Sequence, residues 1–223
     1  MHATIGSTGF RRGRAVSALL FLVWLSACAS MSKKEKGAVI GAAAGAAAGG
    51  VIGNQTGSTT RGAIIGAVVG GTAGAIIGHQ MDQQAKELQQ NIPGATVARV
   101  GEGIAVTFES GLLYDFDSDV VRSSAAQNLG NLAASLNKYP NTDLLIVGHT
   151  DAVGTGEYNQ GLSQRRATAA SNYLASQGVS AARLRALGRG ETEPLATNDT
   201  EAGRQLNRRV EIAIVANAST RSL

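Results

Sequence analysis

Two hydrophobic rhythms divide the chain. Glycine recurs every fourth position at Gly37, Gly41, Gly45, Gly49 and Gly53, and again at Gly62, Gly66, Gly70, Gly74 and Gly78. The two runs align at an offset of 25, GAVIGAAAGAAAGGVIGNQ against GAIIGAVVGGTAGAIIGHQ, an internal repeat. Wound as a helix, each run has one nearly bare stripe that another backbone can approach closely. Its other surface carries Val39, Ile40, Val51 and Ile52 in the first run, and Ile64, Ile65, Val68, Val69, Ile76 and Ile77 in the second. Each glycine costs roughly 0.8–1 kcal/mol of helix propensity relative to alanine, so neither helix persists alone in water. The polar stretch Asn54–Arg61 (NQTGSTTR) predicts a turn, and the pair a glycine-zipper helical hairpin. Each helix is about 25 Å long, slightly short of a ~30 Å hydrocarbon core. Insertion into, or lying against, a membrane is the preferred placement, because the apolar surface has no other evident cover; a compact spacer or oligomerisation element is the other. A disordered linker is disfavoured by the near absence of Ser, Pro and charge inside the repeats.

From Gln80 the helical pattern turns polar (MDQQAKELQQ) and stops at Asn91-Ile92-Pro93-Gly94, which marks a boundary. Residues 37–92 are therefore assigned to the zipper, 93–217 to a second unit and 218–223 to a tail. Within the second unit Thr96–Val100 and Gly103–Phe108 have strand composition around Gly101-Glu102, the mark of a hairpin. Leu129, Leu132, Ala133, Leu136 and Tyr139 follow helical spacing until Pro140. Leu144–Val147 (LLIV) reads as a short strand covered on both faces. Asn159–Ser176 is a second long helix with Leu162, Ala169, Tyr173 and Leu174 on its buried side, closed by Gly178; Leu184–Leu187 and Val210–Val215 supply further strands. The β-α-β-α-β order predicts an α/β sandwich, helices packed on one sheet.

The other end of the chain reads as an address. Arg11, Arg12 and Arg14 precede the apolar run Ala15–Leu25, whose length suits a signal-peptide core better than the ~20 residues of a spanning helix. Leu25-Ser26-Ala27-Cys28 resembles the bacterial lipobox, in which the thiol is acylated and becomes the first residue of the mature protein. Residues 1–27 are thus expected to be removed, Cys28 to carry lipid, and 28–36 to form a lipidated linker. Multiple acyl chains hold a protein on a bilayer far better than one. Ala29 follows in place of the aspartate that retains enteric lipoproteins at the inner membrane, so an outer-membrane anchor with the domain in the periplasm is expected.

Composition narrows the chemistry. Of 223 residues, 29 are glycine, well above the usual ~7%. One cysteine and three histidines exclude a Cys/His zinc site and an internal disulfide framework. Formal charge is +4, but the signal segment holds three of the 20 basic residues and none of the acidic ones, so the mature chain is close to neutral. Nucleic acid is therefore not an expected partner. Arg183, Arg185, Arg189, Arg204, Arg208 and Arg209 are interspersed with Glu191, Glu193, Asp199, Glu201 and Glu211, a mixed solvated face.

At the end of the LLIV strand stands Gly148-His149-Thr150-Asp151, and 15 residues after Asp151 comes Arg166, early in the next helix. The carboxyl edge of a sheet is where loops gather and ligands are met. A carboxylate and a guanidinium near one open rim suit a zwitterion, Asp151 taking an ammonium and Arg166 a carboxylate. An ordinary surface salt bridge, worth ~0–1 kcal/mol, fits the spacing equally well.

These residues also carry a resemblance. GHTDAVGTGEYNQGLSQRRATAASNYL, GRGETEP, Asn198 and GRQLNRRVEI resemble, in order across roughly residues 103–215, the OmpA-like domain of outer-membrane protein A, peptidoglycan-associated lipoprotein and flagellar motor protein B. With lipobox and zipper in front, the layout resembles the YiaD-type outer-membrane lipoproteins. The resemblance implies non-covalent binding of peptidoglycan, through the diaminopimelate side of the stem peptide. It points to Asp151 and Arg166 as the main contacts, Thr150 and Asn159 as supporting ones, Arg208 reaching in from the last strand, and Asp117 and Asp119 in a bordering loop. Relatives often carry asparagine at the second of these positions, so Asp119 is a departure; its carboxylate would either repel a ligand carboxylate or hold an ammonium.

Other chemistries fit less well. His149 has no accompanying nucleophile motif and reads as a packed or hydrogen-bonded histidine. Asp115, Asp117 and Asp119 mimic the start of a calcium loop, but Val120 and Ala126 occupy positions that need glycine and glutamate. Gly188-Arg189-Gly190 is a turn with no long helix after it to cradle a phosphate. The expectation is a non-enzymatic tether without cofactor or metal, joining membrane to cell wall. The alternative is a membrane-active or oligomerising zipper protein that its wall-binding domain positions.

Overall fold

The computed structural model describes residues 58–69 and 75–217. The signal segment, Cys28, the first glycine run and the 218–223 tail lie outside the described residues. In chain order the elements are α1 (Thr59–Val69), α2 (Ala75–Asn91), β1 (Ala95–Val100), β2 (Gly103–Glu109), α3 (Ser110–Leu113), α4 (Ala126–Lys138), β3 (Thr142–Gly148), α5 (Gly156–Ser176), β4 (Leu184–Gly188), α6 (Glu201–Asn207) and β5 (Arg209–Ala216). The strands form one sheet in the order β1-β2-β5-β3-β4. The last strand is central, antiparallel to both β2 and β3, while β4 runs parallel to β3. A parallel pair needs a crossover, which α5 supplies.

Strand alternation assigns the two faces of this sheet. Ile104, Val106 and Phe108 of β2, Leu144 and Ile146 of β3, and Val210, Ile212 and Ile214 of β5 point into the main core. Leu129, Leu132, Ala133 and Leu136 of α4 close over them, with Ala167, Ala170 and Leu174 of α5. The helical spacing in the sequence is the same pattern seen from one side. Gly178, at φ +88°, ends α5 in a left-handed conformation that favours glycine.

The division drawn at residue 93 does not match this core. Met81, Ala85 and Leu88 of α2 and Ile92 just past its end, spaced four, three and four apart, are buried in the same cluster as Ile104 and Leu132. Proline and glycine at 93 and 94 mark the end of a helix, not the edge of a folded unit.

The second glycine run departs further from expectation. Its described parts are two helices on different faces of the sheet, α2 in the main core and α1 on the opposite face. Ile64 of α1 is fully buried. A Cβ placed on Gly103 would lie 2.6 Å from Ile64 Cγ2 and 2.8 Å from the Ile214 carbonyl oxygen, so the helix sits where only glycine leaves room. Ser58 caps α1: its Oγ accepts from the Arg61 N–H at 3.3 Å and donates to Glu211 Oε2 at 3.2 Å. The apolar surface that argued for a membrane thus has a cover at Ile64, and β3 is covered on both sides as its composition predicts, with Val147 buried on the α1 face. Among the described residues no helix is long and apolar enough to cross a membrane. A hairpin of the two runs lies outside what is described, because the first run does.

Candidate functional site

Two glycines set the geometry. Gly148 and Gly188 are register partners at the ends of β3 and β4. A Cβ on Gly148 would lie 2.2 Å from the Ser163 carbonyl oxygen, and one on Gly188 2.5 Å from the Gln164 nitrogen. Without side chains there, α5 rests directly on the strand ends. Ser163 then bridges the junction, donating to the Gln160 carbonyl at 2.9 Å and accepting from the Gly190 N–H at 2.8 Å. Thr155 caps α5 through its hydroxyl, which accepts from the Tyr158 N–H at 3.2 Å. Arg166, two residues past the contact of Gln164 with β4, is thereby carried to the same edge as Asp151.

The edge holds a cleft of about 350 Å³. Thr150, Asp151, Asn159, Arg166, Arg208 and Asp117 all line it, so six of the seven residues expected from the sequence converge. Arg166 is 4% exposed. Its Nε donates to the Ser118 carbonyl at 2.8 Å and its Nη2 reaches the Asp115 carbonyl at 3.5 Å. The guanidinium carbon lies 5.4 Å from the centre of the Tyr114 ring, whose hydroxyl donates to the Arg166 carbonyl at 2.6 Å. Among the described residues no carboxylate is within 4.0 Å of this guanidinium. Burial pulls its pKa down, while the phenol of Tyr114 and the carboxylates of Asp117 and Asp119 oppose the shift. An arginine remains cationic under such conditions, and here it is held by neutral carbonyls alone.

Asp151 does not pair with Arg166. Its Oδ2 takes Arg208 Nη1 at 2.6 Å, and its Oδ1 accepts from the Val153 N–H at 3.1 Å. The other branch of Arg208 reaches Glu201 Oε1 at 2.5 Å. Partial burial pulls the Arg208 pKa down, but the bonds to Asp151 and Glu201 outweigh it and the net shift is upward. Glu201 is shifted down by Arg208 and then Arg204. Arg204 Nη2 in turn pairs with Glu201 Oε2 at 2.7 Å, so the wall is a chain of alternating charge, Asp151–Arg208–Glu201–Arg204, two carboxylates with two cations.

The remaining expected residues take distinct places. Asn159 Nδ2 donates to the Asp151 carbonyl at 3.2 Å and to Glu191 Oε2 at 2.6 Å, fixing the turn that carries Asp151. The Thr150 hydroxyl is buried without a hydrogen-bond partner. Asp117, at φ +56°, accepts from the Tyr158 hydroxyl, which raises the phenol's pKa. Asp119 is not brought into the cleft: it turns to Arg165 at 3.4 Å and is half exposed. Its charge is partnered there, which is why a carboxylate is tolerated at that position. His149 is packed, with neither ring nitrogen hydrogen-bonded, and burial, then Arg209, push its pKa down to about 3.

Sequence reasoning missed half of the rim. Glu201 and Arg204 of α6 also line the cleft, as do Phe116, Val153, Tyr158 and Leu162. Phe116 is 95% and Val153 64% exposed, large apolar side chains left open at the mouth. Nothing in their spacing marks them; the Thr200-Glu201 cap signal of a short helix was the readable part. Among the described residues no group of three or more His, Cys, Asp or Glu is placed to hold a metal ion.

A five-stranded mixed sheet with helices packed on it, carrying a charged cleft at the strand ends, is the architecture of a small α/β binding domain. The chain belongs to the OmpA family, whose sequence pattern matches residues 113–208; the YMGG-like Gly-zipper pattern matches residues 11–82. It is 35% identical to probable lipoprotein YiaD of Escherichia coli (strain K12) over 136 residues, 60% of this chain and 62% of that one. With the peptidoglycan-associated lipoprotein of Brucella melitensis it shares 37% identity over 116 residues, 52% of this chain and 69% of the relative. The solved structure of the cell wall anchor of the T6SS from Pseudomonas aeruginosa superposes with a TM-score of 0.54 at 33% identity, covering 60% of this chain and 97% of that chain. The chain spans only 35% and 30% of the length of the outer membrane porin F proteins of Pseudomonas fluorescens and Pseudomonas aeruginosa, with which it shares 44% identity in the matched part.

Proposed function

We propose that this protein is a non-enzymatic tether: its α/β domain binds peptidoglycan, and lipid on Cys28 holds it on the outer membrane. The observation that carries the reading is the buried Arg166 guanidinium, bonded only to backbone carbonyls, sharing a cleft with the Asp151–Arg208–Glu201 wall. A ligand carboxylate gains a charge-assisted contact at Arg166 without breaking an existing ion pair. A ligand ammonium takes the Asp151 carboxylate as its acceptor, sharing it with Arg208. Groups of opposite sign on one small carbon centre are what the free end of diaminopimelate in a stem peptide offers. The exposed Phe116 and Val153 give the adjoining aliphatic part an apolar surface. Anchoring makes a weak contact effective, since the acyl chains confine the domain near the wall and raise its effective concentration there.

The kinship with a peptidoglycan-associated lipoprotein and with a cell wall anchor supports this reading. The test is retention on purified sacculi. Asp151→Ala and Arg166→Ala are each expected to abolish co-sedimentation while circular dichroism shows a folded domain. Sedimentation of both folded variants at the wild-type level would overturn the assignment.

A further inference from the structure

We propose that α1 is an acid-sensitive latch, seated on the back of the sheet over a buried charged cluster and released when His149 takes up a proton. At its N-terminal end the seat is polar. The Thr59 N–H donates to Glu193 Oε2 at 2.9 Å, and the Ser58 hydroxyl donates to Glu211. Two carboxylates of the sheet domain thus receive the helix N-terminus, where the macrodipole favours negative charge. Behind them Arg189 Nε donates to Thr59 Oγ1 at 2.8 Å and pairs with Glu193 at 3.2 Å, while Arg209 pairs with Glu211 at 2.6 Å. Two cations balance two anions.

His149 belongs to this cluster. On β5, Arg209 and Glu211 share the back face, and register pairs Glu211 with Val147 of β3, so His149 points the same way. It is 1% exposed, its Nε2 is 4.0 Å from Glu211 Oε1, and neither ring nitrogen is hydrogen-bonded. The charged groups facing it are Glu211 and Arg209 on β5 and Arg189 beyond β4; α1 adds Arg61, which is exposed. A proton on the imidazole would be a third positive charge against two guanidiniums, beneath the positive end of a helix. It would also draw on Glu211, the carboxylate that holds Ser58. A seated latch therefore keeps His149 neutral, its pKa depressed to about 3 by burial and then by Arg209. Lifting α1 admits water and lets the ring titrate near its ordinary ~6.5. Seating is thus fully favoured above pH ~6.5 and weakens as pH falls, about tenfold in the docking equilibrium per unit. Glu211, whose pKa is held down by Arg209 against the effect of burial, adds its own loss only below its ordinary value near 4.5. The latch touches the cleft from behind: His149 precedes Thr150 and Asp151, and its N–H donates to the Arg209 carbonyl at 2.9 Å, next to Arg208.

The test needs no cell wall, so it stands apart from the binding assignment. Hydrogen exchange of the full chain, corrected for the intrinsic pH dependence, is followed from pH 7.5 to 4.5. In the wild type the protection of residues 62–69 is expected to fall about tenfold per unit below pH ~6.5, while β5 amides stay protected; in His149→Gln the 62–69 protection stays level. Constant wild-type protection, or the same fall in His149→Gln, overturns the latch. Should the variant misfold, NMR titration of the wild-type ring decides. A midpoint well below 6.5 while α1 remains protected supports the proposal, and a midpoint of 6.5 or above with α1 still protected refutes it.

Discussion

Substituting Gly148 by alanine puts a methyl group where the structure has none to spare. The new Cβ would lie 2.2 Å from the Ser163 carbonyl oxygen and 3.0 Å from its carbonyl carbon, both backbone atoms of α5. A tolerable contact is roughly 3.2–3.4 Å, so the helix must retreat by about 1 Å. Overpacking of this kind costs about 1–3 kcal/mol. With a slope of about 1–3 kcal/mol per molar urea, the unfolding midpoint should drop by on the order of 1 M at unchanged slope. The same retreat carries Arg166 and Asn159 away from Asp151, and a binding constellation tolerates only about 0.5 Å of such movement. Retention on sacculi should therefore fall about tenfold or more under conditions where the variant is still folded. Gly130→Ala is the matched control: it lies inside α4 with nothing within 4 Å of the added atom. There alanine should leave binding intact and raise stability by up to about 1 kcal/mol. A Gly148→Ala protein as stable and as well retained as the wild type would refute the claim that α5 rests on the strand ends.

Other perturbations separate support from contact. Tyr114→Phe removes a buried hydroxyl that donates to the Arg166 carbonyl; it should lower stability by about 1–2 kcal/mol, measured by thermal unfolding, and spare sacculus binding because the guanidinium keeps its bond to Ser118. Asn207→Ala deletes a fully buried amide that accepts from the Leu195 and Ala196 N–H groups and donates to the Ala196 carbonyl and to Asn198. A loss of roughly 2–4 kcal/mol in urea unfolding is expected, and a near-neutral result would show the 195–198 turn to be self-supporting. Cys28→Ala should move the protein from the membrane fraction to the soluble periplasmic fraction; retention of that variant on membranes would give the anchoring role to the glycine repeat.

Most of the sheet domain was legible because its elements obey simple periods. The strands around residues 96–108, 144–147 and 210–215 alternate or run apolar, and α4 repeats leucine at helical spacing, so sequence and structure agree within a residue or two at most ends. Helix α6 was not foreseen: seven residues are too few to display a period, and Thr200, whose hydroxyl accepts from the Gly203 N–H at 3.1 Å, is its only plain signal. The seat of α1 was also hidden. Gly103 looks like a hairpin residue, and only the folded sheet shows that its missing side chain admits Ile64. Asp151 and Arg166 were readable because strand end and following helix must share an edge, whereas Thr150, Asn159, Arg208 and Asp117 came from the family resemblance. The ion pair of Asp151 with Arg208 was not foreseen, because it depends on the antiparallel register of β5 against β3, a contact 57 residues apart in the chain. Asp119 looked equivalent to Asp117, yet two residues of backbone turn it to Arg165.

A crystal structure of the domain with a stem peptide bearing diaminopimelate asks the central question most directly. The expected result is a ligand carboxylate within hydrogen-bond distance of the Arg166 guanidinium and the neighbouring ammonium against Asp151. Density for the peptide at any other surface, with this cleft left empty, would contradict the account.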